Sequence, residues 1–176
     1  GRNDLSTLTK EGQLQAEAAG KILSSIPIDS IYSSPLQRAS QTTKIIIKQY
    51  QSKIHATYTN DLLEVDLGPW SGLTKDELKN LYPEKLAIWE KEPKELEINR
   101  DDGTTYYPIK ELFYQAEKFL KSLWKTYSSS NKTILIVAHN AILRCLILKL
   151  INEPSQGFRR LKLDNTSISI CNIEFN

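Results

Sequence analysis

Two side chains that could handle an anion occupy matching places in the sequence. Arg38 lies in the first turn of the helical pattern that follows the apolar run Ile28–Tyr32 and the pair Ser33-Ser34. His139 directly follows the apolar run Thr133–Ala138, with another helical pattern behind it. In open parallel sheets, ligands gather beyond the carboxyl ends of strands, where helix N-termini also point and favour negative charge. The guanidinium offers forked donors matched to phosphate oxygens, and the imidazole can change its charge near neutral pH. Phosphate is therefore the ligand this pairing suits. Taken alone, Arg38 reads equally well as a solvated helix residue. An apolar strand that ends in histidine needs a polar partner for it, so function is the stronger reading for His139. His55, between Ile54 and Ala56, reads as structural or solvent-facing.

Glu64 is the third candidate. It follows Leu62-Leu63 in a loop that also carries Asp66, Gly68, Pro69 and Trp70. A carboxyl group near the crevice mouth could give and take a proton as a general acid and base. Asp66 competes for that task or simply caps the loop, and a surface role for Glu64 is the plain alternative.

The elements that must position these groups follow from periodicity. Residues 9–25 predict an amphipathic helix capped by Thr9, with Leu14, Ala16, Ala19, Ile22 and Leu23 on its apolar positions and Gly12 and Gly20 at close approaches. Segments 28–32, 54–59 and 133–138 predict strands, the last nearly all apolar and therefore expected to be central and covered on both faces. Ser34, Pro35 and Gln37 form a capping-box pattern that predicts a helix from Pro35 towards Tyr50. Thr74 with Glu77 predicts another capping box, Pro83 opens a further helix, and helices are expected over 108–127 and 141–151. Asp101-Asp102-Gly103 predicts a turn, and the alternation over 166–175 predicts a final strand. Strands interleave with helices, so the expected fold class is α/β: a three-layer sandwich with a mainly parallel central sheet, helices on both faces, and a small helical cap inserted over about residues 73–107 of a single domain.

The whole chain has 176 residues, with 40% hydrophobic and 25% charged positions, the balance of one globular domain. A formal net charge of +2 argues against nucleic acid or an anionic membrane as partner, and no apolar run approaches the roughly 18 residues that span a bilayer. Cys145 and Cys171 both sit in apolar runs and predict buried, reduced thiols in a cytoplasmic setting. The chain contains no Met and opens at Gly1, which raises the expectation of a longer N-terminal piece.

Taken in order, five blocks resemble the histidine phosphatase superfamily, the phosphoglycerate-mutase-like proteins. They are Leu8-Thr9-Lys10-Glu11-Gly12 with Gln15-Ala16, Tyr32-Ser33-Ser34-Pro35-Leu36-Gln37-Arg38-Ala39 with Gln41-Thr42, and Leu63-Glu64-Val65-Asp66-Leu67-Gly68-Pro69-Trp70-Ser71-Gly72, followed by Ile136-Val137-Ala138-His139 and Asp164-Asn165-Thr166-Ser167-Ile168-Ser169. The resemblance implies metal-free, cofactor-free phosphoryl transfer through a phosphohistidine. It casts Arg38 as the clamp on the phosphoryl group, His139 as a second histidine that stabilises charge in transfer, and Glu64 as the proton donor to the leaving oxygen, with Asn140 as a further phosphate-binding position. The nucleophilic histidine of the family lies in an Arg-His-Gly motif upstream of the first block, and no Arg-His-Gly occurs in the chain. The expectation is a nucleophile upstream of Gly1, without which this stretch alone does not form the phosphoenzyme.

Asn140 stands where the family usually has Gly, and Glu111-Leu112-Phe113-Tyr114-Gln115-Ala116 where many members have Gly-Glu-Ser and a later Arg. Both features resemble the branch that includes 2-carboxyarabinitol-1-phosphate phosphatase and related proteins of photosynthetic organisms. The implied partner is a small phosphorylated metabolite, and hydrolysis is the expected reaction. A cofactor-dependent phosphoglycerate mutase and a non-catalytic phospholigand-binding protein are the alternatives; oligomeric state is not readable from the sequence.

Overall fold

A computed structural model describes residues 1–100, 102–153 and 155–173. Three parallel strands form the main sheet: β1 (Ser30–Ser33), β2 (Ala56–Tyr58) and β5 (Ile134–Val137). β1 is central, pairing Ile31 with Ala56 on one side and Leu135 on the other. Period-two alternation sends the residues of β1 to opposite faces. Tyr32 meets Phe119 edge-on, with ring centroids 5.6 Å apart, while the Ser33 hydroxyl on the other face accepts a 2.8 Å bond from Thr43.

Those two contacts define the layers. On the Ser33 face lie α1 (Lys10–Leu23) and α2 (Gln37–Ile47); on the Tyr32 face lie α5 (Pro108–Tyr127) and α6 (Asn140–Leu150). The main core belongs to the second pair: Ile109, Leu112, Ala116 and Phe119 of α5 bury against Ile142, Cys145 and Leu146 of α6. Thr9 caps α1 by accepting from the Gly12 amide, as its sequence predicts. Between the layers of α1 and α2, Gly20 permits close approach, since a Cβ there would sit 3.1 Å from the Ile46 Cα.

Residues between the Glu64 loop and α5 fold as α3 (Lys75–Leu81), α4 (Pro83–Lys91) and a two-stranded hairpin of β3 (Ile98–Asn99) and β4 (Thr105–Tyr106). They gather around a second apolar cluster of Trp70, Leu96, Ile98 and Tyr106. The capping box of Thr74 and Glu77 opens α3. The hairpin turn contains Asp102 and Gly103, whose φ of 82° suits a residue without Cβ; Asp101 of the expected turn lies outside the described residues.

Several expectations are corrected. β5 is an edge strand among the described residues, and its four side chains are only partly buried; unbroken apolarity cannot distinguish a central strand from one with an open edge. No strand forms in 166–173, where Ile168, Ile170 and Ile173 are exposed, because the alternation finds no hydrogen-bonded neighbour there. The rest of the predicted strand, residues 174–175, lies outside the described residues. Leu14 and Ile22 of α1 face outward, while Ala16, Ala19, Gly20 and Leu23 carry the buried stripe. Gly12 has only its own neighbours Leu8 and Thr9 nearby, so it serves no interhelical approach. Cys145 is buried but Cys171 is exposed. Finally, α2 starts at Gln37 behind Leu36 with no side-chain cap, so Ser34 is not the helix cap its position suggests.

Candidate active site

The reason Ser34 does not cap α2 is that its hydroxyl is engaged elsewhere. It lies 2.7 Å from His139 Nε2, with the Leu36 amide donating to it at 3.3 Å. On the other side of the ring, Arg38 Nε donates to His139 Nδ1 at 3.2 Å. A guanidinium only donates, so Nδ1 carries the lone pair and Nε2 carries the proton, which is donated to Ser34 Oγ. His139 is thus held as one neutral tautomer. Burial is the main cause of its depressed pKa, pushed down to about 3, with the positive charge of Arg38 adding to it and Asp4 opposing.

Parallel pairing of β1 and β5 brings these groups together. The register sets Ser33 beside Val137, so the residues just past both strands, Ser34 and His139, emerge side by side. Arg38 reaches in from the first turn of α2. Its terminal nitrogens donate to the Asn3 and Gly1 carbonyls, both at 2.9 Å, and each keeps a further N–H for another acceptor. Asp4 accepts from the Gln37 amide, which fastens the same segment to the start of α2.

Glu64 enters from the loop after β2 and is buried. Its carboxylate accepts from the Val65 amide at 2.8 Å and from the Ala141 amide at 3.3 Å. Ala141 is two residues beyond His139 in the first turn of α6, so carboxylate and imidazole flank the same helix N-terminus. The Glu64 loop is itself tied down: Arg2 donates to the Glu64 carbonyl at 2.9 Å and to Gln115 Oε1 at 3.0 Å, while Gln115 donates to the Asp61 and Leu63 carbonyls. Asp66 accepts from the Gly68 amide at 3.0 Å, a hydrogen bond within its own loop.

Of the residues predicted from sequence, Arg38 and His139 are therefore in direct contact and Glu64 reaches the adjoining amide. Asn140, the first residue of α6, turns its amide outward to the Leu163 carbonyl at 2.8 Å. His55 is exposed beside β2. Sequence reasoning missed Ser34, Arg2 and Gln115 as site residues. The signal for Ser34 was its position immediately after β1, matching that of His139 near the end of β5; nothing local marks Arg2 or Gln115, whose roles arise from contacts across more than fifty residues. Among the described residues, no group of three or more His, Cys, Asp and Glu side chains is arranged to hold a metal ion, and no helix is long and apolar enough to cross a membrane.

The chain is 34% identical over 171 residues to a probable 2-carboxy-D-arabinitol-1-phosphatase of Arabidopsis thaliana, covering 97% of the chain but 33% of that protein; it thus spans about a third of the relative's length. It is 34% identical over 151 residues to a 2,3-bisphosphoglycerate-dependent phosphoglycerate mutase of Bartonella quintana, covering 81% of the chain and 68% of the mutase. The structure of Bacillus stearothermophilus YhfR superposes with a TM-score of 0.79 at 24% identity, over 92% of this chain and 76% of that one, which establishes the shared fold. The family model described as histidine phosphatase superfamily (branch 1) matches residues 1–176, and the chain belongs to that superfamily.

Proposed function

We propose that the protein hydrolyses a small, sugar-phosphate-like phosphomonoester through a phosphohistidine, with the nucleophilic histidine supplied from upstream of Gly1. The single observation that carries this reading is the contact of Arg38 with a neutral, buried His139, beside the helix N-terminus that also holds Glu64. That arrangement supplies fixed donors where a transferring phosphoryl group needs its charge spread, without a metal ion. The open edge of β5, which leads to His139, gives a nucleophile-bearing strand a place to pair.

In the first step the histidine nitrogen attacks phosphorus, the phosphorus–oxygen bond to the organic group breaks, and the Glu64 carboxylic acid gives its proton to the departing oxygen. Arg38 and the His139 Nε2–H donate to the phosphoryl oxygens, the latter exchanging its bond to Ser34. In the second step the Glu64 carboxylate takes a proton from water, which attacks phosphorus and releases the histidine and inorganic phosphate. Residues 73–107 act as the cap that selects the organic group, linked to the catalytic loop by the bond from the Tyr106 hydroxyl to the Asp66 carbonyl. The setting is cytoplasmic and the partner is a phosphorylated metabolite, not nucleic acid or membrane.

The test uses the full-length protein. Turnover of phosphomonoesters should fall by about a hundredfold or more in His139→Ala and in Glu64→Gln, as expected on removing a charge-stabilising donor or a proton donor, and should withstand chelators. Near-normal rates in either variant overturn the assigned role. Similarity to a phosphoglycerate mutase keeps one competing reading: a mutase interconverts 2- and 3-phosphoglycerate faster than it releases phosphate, and the same preparation distinguishes the two.

A further inference from the structure

A second cationic recess lies away from the Arg38–His139 pair. Where the segment after α4 meets the short 3-10 segment after α6 (Ser155–Arg159), the surface forms a partly open cavity of about 290 Å³. Its walls carry Lys91, Lys94 and Arg159 against one carboxylate, Glu92, with Ser155 and Gln156 as neutral polar groups. Lys94 is partly satisfied by Glu95 at 3.3 Å; Lys91 makes no ion pair among the described residues.

Arg159 of the cavity wall and its neighbour Arg144, which is not part of the wall, are each stacked on a ring. Arg159 stands over the Trp89 ring, its guanidinium carbon 5.1 Å from the centroid, and donates to the Trp89 carbonyl. Arg144 stands over the Phe158 ring at 5.3 Å, and its Nε is buried with no hydrogen-bond partner. A guanidinium stacked on a ring spends its face and leaves its in-plane N–H edge for an acceptor. The two cations also repel one another: burial and then the Arg144 charge hold the Arg159 pKa below its ordinary value, against the pull of Glu90. A bound anion would relieve that repulsion.

We infer that this cavity is a binding site for the phosphate group of a small molecule, separate from the site of phosphoryl transfer. Its volume lies at the lower end of small-ligand pockets, room for a phosphate on a compact body but not for a nucleotide. Three cations with hydroxyl and amide donors suit phosphate oxygens. None of its walls is shared with Arg38, Glu64 or His139, so the inference stands whether or not the phosphatase reading does.

The experiment is calorimetric titration of the full-length protein with inorganic phosphate, at constant ionic strength so that screening does not change. The parent is the Arg38→Ala variant, in which the transfer site no longer clamps the anion. Phosphate should bind this parent saturably, and adding Lys91→Gln with Lys94→Gln should raise the Kd at least tenfold. Lys91 is exposed and Lys94 half-buried, and circular dichroism checks that the fold is kept. As a second readout, phosphate added to the unsubstituted protein should shift the amide resonances of Lys91, Lys94, Ser155 and Gln156 along a saturating curve. Loss of all phosphate binding in Arg38→Ala, unchanged affinity in the lysine variant, or amide shifts confined to the Arg38–His139 neighbourhood would overturn the proposal.

Discussion

At the scale of single residues, the buried His139 links stability to pH. Its ordinary value of 6.5 is depressed to about 3 in the folded protein, chiefly by burial and next by Arg38. Below pH 6.5 an unfolded chain takes up a proton at this position while the folded one does not, so the unfolded state binds more protons and gains ground. The stability at stake is intact above 6.5 and drains away as the pH falls towards 3. Midpoints of denaturant unfolding across this window should fall in the unsubstituted protein and fall less steeply in His139→Gln, which cannot take up that proton. Equal slopes would show that His139 is protonated in the fold. Ser34 belongs to the same argument, since it accepts the Nε2 proton of the neutral tautomer; Ser34→Ala leaves that donor buried without a partner, a loss of about 1–3 kcal/mol.

At the scale of elements, Gly20 and Thr74 act in opposite ways. Gly20 lets α1 lie against α2, and a side chain there meets Gln49 and then the Ile46 backbone. Gln49 can swing aside but the backbone cannot, so Gly20→Val should cost about 1–3 kcal/mol from overpacking, read as a lower unfolding midpoint. Thr74 holds a helix with no buried residue of its own; Thr74→Ala should cost about 1 kcal/mol and speed hydrogen exchange in α3 with little effect elsewhere. These helices were legible in the sequence because caps and amphipathic stripes are local. The start of α2 was misread for the same reason: Ser34-Pro35-Gln37 is a good local cap, but a buried imidazole 105 positions away takes the hydroxyl. Residue type and placement at a strand end favoured His139, but left Arg38 and Glu64 level with ordinary surface residues until the family resemblance was added, whereas the Arg2–Gln115 buckle that fixes the Glu64 loop depends on tertiary contacts alone. The open edge of β5 was hidden because periodicity records which side chains are apolar, not how many neighbours a strand has.

At the scale of the molecule, the apolar surface is unevenly distributed. The core between α5, α6 and the sheet is closed, while Ile168, Ile170 and Ile173 stand exposed in an extended segment that pairs with nothing among the described residues. The two cysteines report on that division. Cys145, on α6 against the Glu64 side of the core, is fully buried, and burial pushes its thiol pKa far up, which suppresses the reactive thiolate. Cys171 lies in the exposed segment. A thiol reagent such as Ellman's should therefore label Cys171 quickly in the native 176-residue polypeptide and reach Cys145 only on unfolding, with Cys171→Ser abolishing the fast phase. In a longer polypeptide that pairs a strand against β5 and this segment, the Cys171 phase should slow while Cys145 stays silent. Fast labelling of both thiols in the native 176-residue chain would mean that the α5–α6 core opens, and with it the helix N-terminus that orients Glu64 and His139.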